Sequence, residues 1–430
     1  MPTQTSKPLA GQPADATSKP GLSRSAWRLR SLWIIIWAVM LFAPSIMLGF
    51  TATQSKFSSA SIIAAIYLAW RLLFRPLPRL TGATGIGLAM GVYLLIHGLV
   101  LTITTGKIII LLLEGQWVVY FLSGLLLTMD IVRIATDVDW AGTTLIRLGL
   151  ISSVLGDISL WTGPFYSYAN NYKPRWGIDL NRACGPFESP AILGGMVMIT
   201  FVLAFFTAPV AGGVLRRQAG LAFMMVTLLL SMSKAAIVSG LAATILGVPI
   251  VARTAAKRRA AVAKLLYVAV FIGAIGYISS AYMIDVRGLI EDDAQSRGAV
   301  GLTILSDYAQ DGVLEQLFGI GYRQSASIDP ETGMWFPAHN SYISFLREIG
   351  IVGFLSICGF LFYCLVELRS RGYLNWALAL VALLLASYTA EYLYGSFCVF
   401  FLGCVGAIAD RLRQFSAASA AISEACPEPL

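Results

Sequence analysis

His339 and Asn340 stand together in "WFPAHNSYISFLREIGIVGF", Trp335 to Phe354, immediately before a long apolar run. The chain has 430 residues and only two histidines, so one at the mouth of an apolar segment asks for a chemical reason. Histidine titrates near neutral pH and can take a proton from a hydroxyl. Earlier in the same polar stretch lie Arg297 and, in "LFGIGYRQS", Arg323, with Gly319 and Gly321 between them. The glycines predict a turn that needs close backbone approach or positive φ; the spacing does not fit a nucleotide loop. A second polar stretch, "YSYANNYKPRWGIDLNRACGPFESPAILGG", interleaves aromatic and amide residues with Lys173, Arg175 and Arg182. Aromatic faces stack on sugar rings, and amides and carboxylates bond their hydroxyls. This composition suits a glycan. An aromatic belt at a membrane interface accounts for part of it, but not for the arginines.

The elements that hold these stretches are set by hydropathy. Hydrophobic residues make up 57% and charged residues 13% of the chain, against roughly 25% charged in a soluble domain. Apolar runs of about 20 residues predict spanning helices, because backbone polar groups in lipid must be satisfied within the segment. About twelve runs qualify: 31–50, 58–74, 82–104, 107–129, 142–161, 190–210, 219–231, 235–252, 263–283, 347–367, 374–392 and 394–409. The fold class expected is therefore all-α, an integral membrane protein with about twelve transmembrane helices. The runs 219–231 and 394–409 are short for a full span.

Lysine and arginine in the short loops set the orientation. Arg24, Arg28, Arg30, Arg71, Arg75, Arg79, Arg216, Arg217, the "RTAAKRR" run, Arg369, Arg371, Arg411 and Arg413 all fall on one side. That side is the cytoplasm, with both termini in it. The two larger loops, about 162–189 and 284–346, then face outward. Three regions follow: a disordered cytoplasmic tail at 1–30, a membrane domain at 31–410 and a second cytoplasmic tail at 411–430. The net charge of +8 reflects this retention and calls for no nucleic acid. Glu114, Asp157, Lys234, Glu348 and Glu391 all fall toward the outer side of their runs, which implies a polar cavity opening outward. His97, in "LLIHGLV", reads as a packing residue bonded across helices.

No cysteine–histidine spacing, phosphate loop or dinucleotide fingerprint is present, so neither a metal nor a cofactor is expected. Three stretches in order, "RACGPFESPAILGG", "SMSKAAIVSGL" and "FGIGYRQS" followed by "HNSYISFLREIGIVGF", resemble the O-antigen ligase and O-antigen polymerase superfamily of bacterial membrane glycosyltransferases. The resemblance covers roughly residues 80–410, with sharp motifs from 180 to 355. Family members commonly carry Ser-Arg where this chain has Ser233-Lys234. Lysine keeps the charge without the bidentate fork.

The resemblance implies a polyprenyl-pyrophosphate-linked glycan donor in the outer leaflet of the bacterial inner membrane. The glycan moves to an acceptor hydroxyl without nucleotide or metal. In that scheme His339 is the general base, and Arg182 and Arg297 stabilise the departing pyrophosphate. Asn340, Arg323, Lys234, Arg175 and Tyr342 are the substrate-binding residues expected. An exopolysaccharide or O-antigen polymerase is the leading reading. A ligase that adds O-antigen to a lipid core, and a transporter or flippase of lipid-linked glycans, are the alternatives. Polysaccharide export or chain-length-control proteins are the possible partners.

The topology has a direct test. Cysteine tags at Tyr172 and Ser327 are expected to react with an impermeant label from outside intact cells, and tags at Arg217, Lys257 and Arg371 only from inside. An outside signal at Lys257 inverts the scheme.

Overall fold

The computed structural model describes residues 24–42, 45–48, 55–78, 80–162, 182–185, 187, 189–207, 214–231, 233–251, 266, 269–270, 273, 300–325, 327–328, 335–336, 340–390 and 392–425. Within them the regular structure is almost entirely helical. The helices are α1 (Arg24–Phe42), α2 (Ser59–Phe74), α3 (Gly82–Thr105), α4 (Ile108–Ile131), α5 (Ala135–Thr162), α6 (Pro190–Phe206), α7 (Val214–Leu230) and α8 (Lys234–Val251). After the polar stretch they continue as α9 (Val313–Phe318), α10 (Ser341–Glu348), α11 (Gly350–Ser370), α12 (Leu374–Thr389) and α13 (Ser396–Ala425). Residues 300–310 are also helical. A 3-10 turn spans Tyr392–Tyr394, and two short antiparallel hairpins pair Ser45–Leu48 with Ser55–Ser58 and Ser327–Ile328 with Trp335–Phe336.

The chain is an all-α, multi-pass membrane protein. The helices α3, α4, α5 and α11 are each long and apolar enough to cross a membrane. At about 1.5 Å per residue, even the 21 residues of α11 match a hydrocarbon core of roughly 30 Å. Shorter apolar helices, Ala60–Phe74, Pro190–Phe206, Lys234–Ile250 and Leu374–Thr389, stand beside them. Val92, Leu95, Ile96, Leu99 and Ile103 on α3 and Leu355 and Phe362 on α11 lie exposed. Such apolar surface would be a liability in water but suits lipid.

Two boundaries differ from the hydropathy reading. The first run ends as a helix at Phe42 rather than at 50, and Pro44 follows, a residue that cannot continue an α-helix ladder. The last run is longer than drawn: α13 continues past the expected boundary at 410 to Ala425. Arg411 explains part of this, because its guanidinium donates to the Met129 carbonyl at 2.6 and 3.1 Å and ties the helix to α4. The run at 263–283 lies almost wholly outside the described residues.

The core is built around α4, buried along most of its length between α3 and α13. Gly124 meets the Phe400 carbonyl and Gly403 meets the Phe121 carbonyl, so the α4 and α13 backbones approach closely, as small residues allow in membranes. A second group packs α5 and α12 against α6, with α7 and α8 alongside.

The polar groups divide between the two ends of this bundle. At one end Asp130 holds Arg71 at 2.9 Å and Arg75 at 3.2 Å, and Arg30 pairs with Asp137. Asp410 there accepts from the Ala83 and Thr84 amides at 2.9 and 2.7 Å, fixing the start of α3. The other end carries the described residues of the polar stretches.

The expected glycine turn is present. Gly319 has φ 92 and Gly321 φ 109. The turn's next amides serve the end of α10: Ile320 donates to the Arg347 carbonyl at 3.1 Å and Gly321 to the Glu348 carbonyl at 2.9 Å. A Cβ on Gly319 would collide with the Glu348 carbonyl. Gly319→Ala is therefore expected to cost more than about 1 kcal/mol in thermal or denaturant unfolding of the purified protein. Gly359→Ala, at a position with open space around it, is the matched control and should change little.

Candidate functional site

Four polar segments are drawn together at this end, each for a local reason. The first is the loop before α6. Ser159 on α5 accepts from the Cys184 and Gly185 amides at 3.1 and 2.8 Å, and the Ala183 amide donates to the Leu230 carbonyl at 2.8 Å. Ser189 then caps α6, with Pro190 in its first turn, where a missing N–H costs nothing. These ties place Arg182, which is buried and donates through Nε to the Ser231 carbonyl at 3.0 Å. That contact fixes the plane of its guanidinium at the end of α7.

The second segment is the α7–α8 junction. Ser233 precedes Lys234, the first residue of α8, and its hydroxyl lies 2.9 Å from the Tyr392 hydroxyl. Tyr392 also donates to the Ala191 carbonyl at 3.0 Å. Lys234 is half-buried. One residue thus joins the start of α6 to the start of α8.

The third segment begins at Asn340. Its side-chain oxygen accepts from the Tyr342 and Ile343 amides at 3.0 and 3.3 Å and caps α10. Ser341 donates to the Ala390 carbonyl at 3.0 Å and accepts from the Leu393 amide at 3.4 Å. Tyr342 donates to the Leu384 carbonyl at 2.7 Å. Burial, and then the neighbouring Cys358 thiol, pushes its phenol up to about 12. Tyr342 is therefore a neutral donor committed to α12.

The fourth segment is the turn after the glycines. Glu348, buried at the end of α10, accepts from the Ser325 hydroxyl at 2.5 Å, the Ser325 amide at 3.3 Å and the Tyr394 hydroxyl at 2.7 Å. Arg323 lies over the Tyr394 ring at 5.8 Å. Arg347, one residue before Glu348, is held by Asp307 at 2.8 Å and Asp311 at 3.1 Å, so it braces the 300–310 helix.

The 3-10 turn Tyr392–Tyr394 connects these segments. Tyr392 reaches Ser233, Leu393 reaches Ser341, and Tyr394 reaches Glu348. Hydropathy hid this turn, since it marks the seam between two apolar runs. The aromatic triplet in "EYLYGSF", between a glutamate and a glycine, was the available signal. Of the expected site residues, Arg182, Lys234, Arg323, Asn340 and Tyr342 belong to the linked segments. His339, Arg297 and Arg175 lie outside the described residues. His97 behaves as expected, with Nδ1 2.9 Å from Glu114 Oε1 across α3 and α4.

Chemically, this end offers two fixed guanidinium groups, a lysine, aromatic faces and hydroxyls. Those groups suit an anionic, hydroxyl-rich ligand. Among the described residues no cluster of histidine, cysteine, aspartate or glutamate could hold a metal ion. Residues 219–358 match the family model described as O-antigen ligase. That family consists of membrane glycosyltransferase-like enzymes and points to lipid-linked glycan substrates. No curated protein matches the chain. The matched region contains Ser233, Lys234, Arg323, Asn340 and Glu348, while Arg182 and the 392–394 turn lie beyond its limits.

The carboxylate at 348 sets a stability prediction. Glu348→Ala leaves the Ser325 and Tyr394 donors buried without an acceptor, at about 1–3 kcal/mol for each orphaned group. Glu348→Gln keeps one acceptor and should cost less than half as much. Thermal unfolding of the purified protein measures both; equal losses would show that the hydrogen bonds are not what matters.

Proposed function

We infer from the match over residues 219–358 that the chain belongs to the O-antigen ligase/polymerase superfamily. From that premise we propose that the protein is a membrane glycosyltransferase that polymerises polyprenyl-pyrophosphate-linked oligosaccharides at the outer face of the bacterial inner membrane. The observation that carries the reading is that one turn, Tyr392–Tyr394, bonds Ser233 and Ser341, beside which Ser231 orients Arg182 and Asn340 caps α10. It draws a guanidinium, the start of α8 and the residue after His339 to the same end of the bundle. The opposite end, where arginines are neutralised by Asp130 and Asp137, has the charge balance of a retained cytoplasmic face.

In the mechanism, the donor pyrophosphate gathers negative charge as the glycosidic carbon–oxygen bond to it breaks. Arg182, oriented by the Ser231 carbonyl, and Arg297 stabilise that charge. An arginine already fixed in place loses little freedom when the charge develops. The acceptor hydroxyl attacks the anomeric carbon and gives its proton to His339. Asn340 commits its carbonyl oxygen to the α10 cap, which leaves its amide NH2 as the group that can turn to the sugar. Lys234 and Arg175 supply point charges around the phosphates. The new glycosidic bond forms on the acceptor, and polyprenyl pyrophosphate leaves.

Purified protein in proteoliposomes, supplied with lipid-linked donor and a chelator, is expected to lengthen the glycan. Movement of donor across the bilayer without new glycosidic bonds would identify a carrier instead. Transfer only to a lipid-core acceptor would identify a ligase. His339→Gln should lower transfer by roughly 10²- to 10⁴-fold, since glutamine can hold a hydrogen bond but not take a proton. Arg182→Ala should be similarly impaired at normal protein level, and wild-type polymer from His339→Gln would remove the base role.

A further inference from the structure

The short helix α9 leaves its apolar side chains bare. Val313 is 72% and Leu314 71% exposed, and Leu317 and Phe318 are open as well. At helical spacing these four share one face, with Glu315 and Gln316 on the other. The polar side is satisfied internally. Glu315 accepts from the Gly312 amide at 2.8 Å and caps the helix, and Gln316 donates to the Tyr308 and Ala309 carbonyls, each at 3.2 Å. Tyr308 donates back to the Gln316 carbonyl at 3.0 Å. Residues 300–310 and α9 therefore form one closed helical hairpin, which Arg347 clamps to α10 through Asp307 and Asp311. Val300 and Ile304 pack on Ile343 beneath it. What α9 leaves unpartnered is hydrocarbon.

Three contacts with α3 give the depth of this face. The Tyr93 hydroxyl, midway along α3, donates to the Phe318 carbonyl at 3.1 Å. A Cβ on Gly321 would lie 3.2 Å from Leu101. Lys107, just past the end of α3, reaches Gln324 at 3.5 Å. The chain from Phe318 to Gln324 therefore climbs the outer half of α3, and α9 lies at its foot. From Tyr93 to the last residue of α3, Thr105, is roughly 18 Å at about 1.5 Å per residue. Even standing upright, α9 (6 residues) would raise Val313 by only about 8 Å, still well short of that end. Over the same rise α3 exposes Leu95, Ile96, Leu99, Val100 and Ile103, an apolar stripe that suits lipid rather than water. The start of α11 lies against α9, since a Cβ on Gly350 would collide with the Leu317 carbonyl, and α11 exposes Ile351, Val352 and Leu355. The bare face of α9 thus adjoins the lipid-facing surfaces of two spanning helices.

We propose that α9 is a re-entrant anchor whose Val313, Leu314, Leu317 and Phe318 face docks into the acyl chains of the outer leaflet. By this route the loop that hydropathy places wholly outside dips into the bilayer and holds the glycine turn there. Backbone groups at such depth need partners inside the protein. Gln316 meets the Tyr308 and Ala309 carbonyls, and Tyr93 meets that of Phe318. The anchor is independent of which reaction the protein performs.

The test is depth-dependent quenching of a bimane label at Leu314→Cys, in the full-length protein in nanodiscs. Ile103→Cys is the lipid-facing reference, and Arg371→Cys, exposed just beyond α11, is the aqueous one. The wild-type chain, treated with the same label, is the blank for the native cysteines. Phospholipids brominated on their acyl chains are expected to quench Leu314→Cys about as strongly as Ile103→Cys, and aqueous iodide far less than Arg371→Cys. Iodide quenching at the level of Arg371→Cys would put the face in water and overturn the proposal. So would protection from both quenchers, since protein, whether this chain or a second copy, then covers α9. Loss of acyl quenching on adding polyprenyl pyrophosphate would assign the face to one bound lipid instead of the leaflet, and would overturn it too. Leu314→Asp supplies an independent readout. A carboxylate among acyl chains is costly, so its unfolding temperature in nanodiscs should fall several degrees below wild type. An unchanged temperature would contradict the anchor, because a substitution on a water-exposed surface changes little.

Discussion

A carboxylate moved out of water must meet donors in the protein, and Glu348 shows how much structure that requirement can organise. It sits at the last position of α10, so its backbone carbonyl is available to the Gly321 amide while its side chain reaches Ser325 and Tyr394. The turn after the glycines therefore cannot shift without uncovering a buried charge. Tyr394 in turn fixes the 3-10 turn, and Tyr392 and Leu393 within it carry the constraint to Ser233 and Ser341. Losing any of these partners would strand a buried polar group, which costs more than the bond contributed. The site's rigidity follows from that asymmetry rather than from the strength of any one contact.

The two ends of the bundle use charge differently. Asp130, Asp137 and Asp410 sit against arginines and helix starts, where pairing neutralises them and locks α1, α2, α3 and α13 to the ends of α4 and α5. At the other end the carboxylates bond mostly to backbone amides and hydroxyls. Glu114 and Glu348 thus spend their charge on shaping loops, and Arg323 lies over an aromatic ring. Arg347 is the exception; Asp307 and Asp311 hold it.

Much of this was legible in the sequence. The all-α membrane class, the glycine turn at 319–321, the cross-helix role of His97 and the grouping of Glu114 and Glu348 near one end all followed from spacing and hydropathy. The match to the O-antigen ligase family agrees with the resemblance read from the three motifs. What could not be read was long-range pairing. Nothing local in "EYLYGSF" says that its tyrosines meet Ser233 and Glu348, more than 150 and 40 residues away. The role of Glu348 was equally hidden, since it needed Ser325 from one side and Tyr394 from the other. How far α13 runs past its apolar stretch was hidden too, because Arg411 reads as a flanking charge until Met129 is seen beneath it.

The central claim is that the end of the bundle organised by the Tyr392–Tyr394 turn receives the phosphate-bearing part of a lipid-linked glycan. An experimental structure of the full-length protein in nanodiscs, with polyprenyl-pyrophosphate-linked glycan bound, tests it most directly. The account predicts phosphate oxygens within hydrogen-bond distance of the Arg182 guanidinium, with the glycan lying beside Asn340. Phosphates seated instead among Arg71, Arg75 and Arg411 at the opposite end would contradict it.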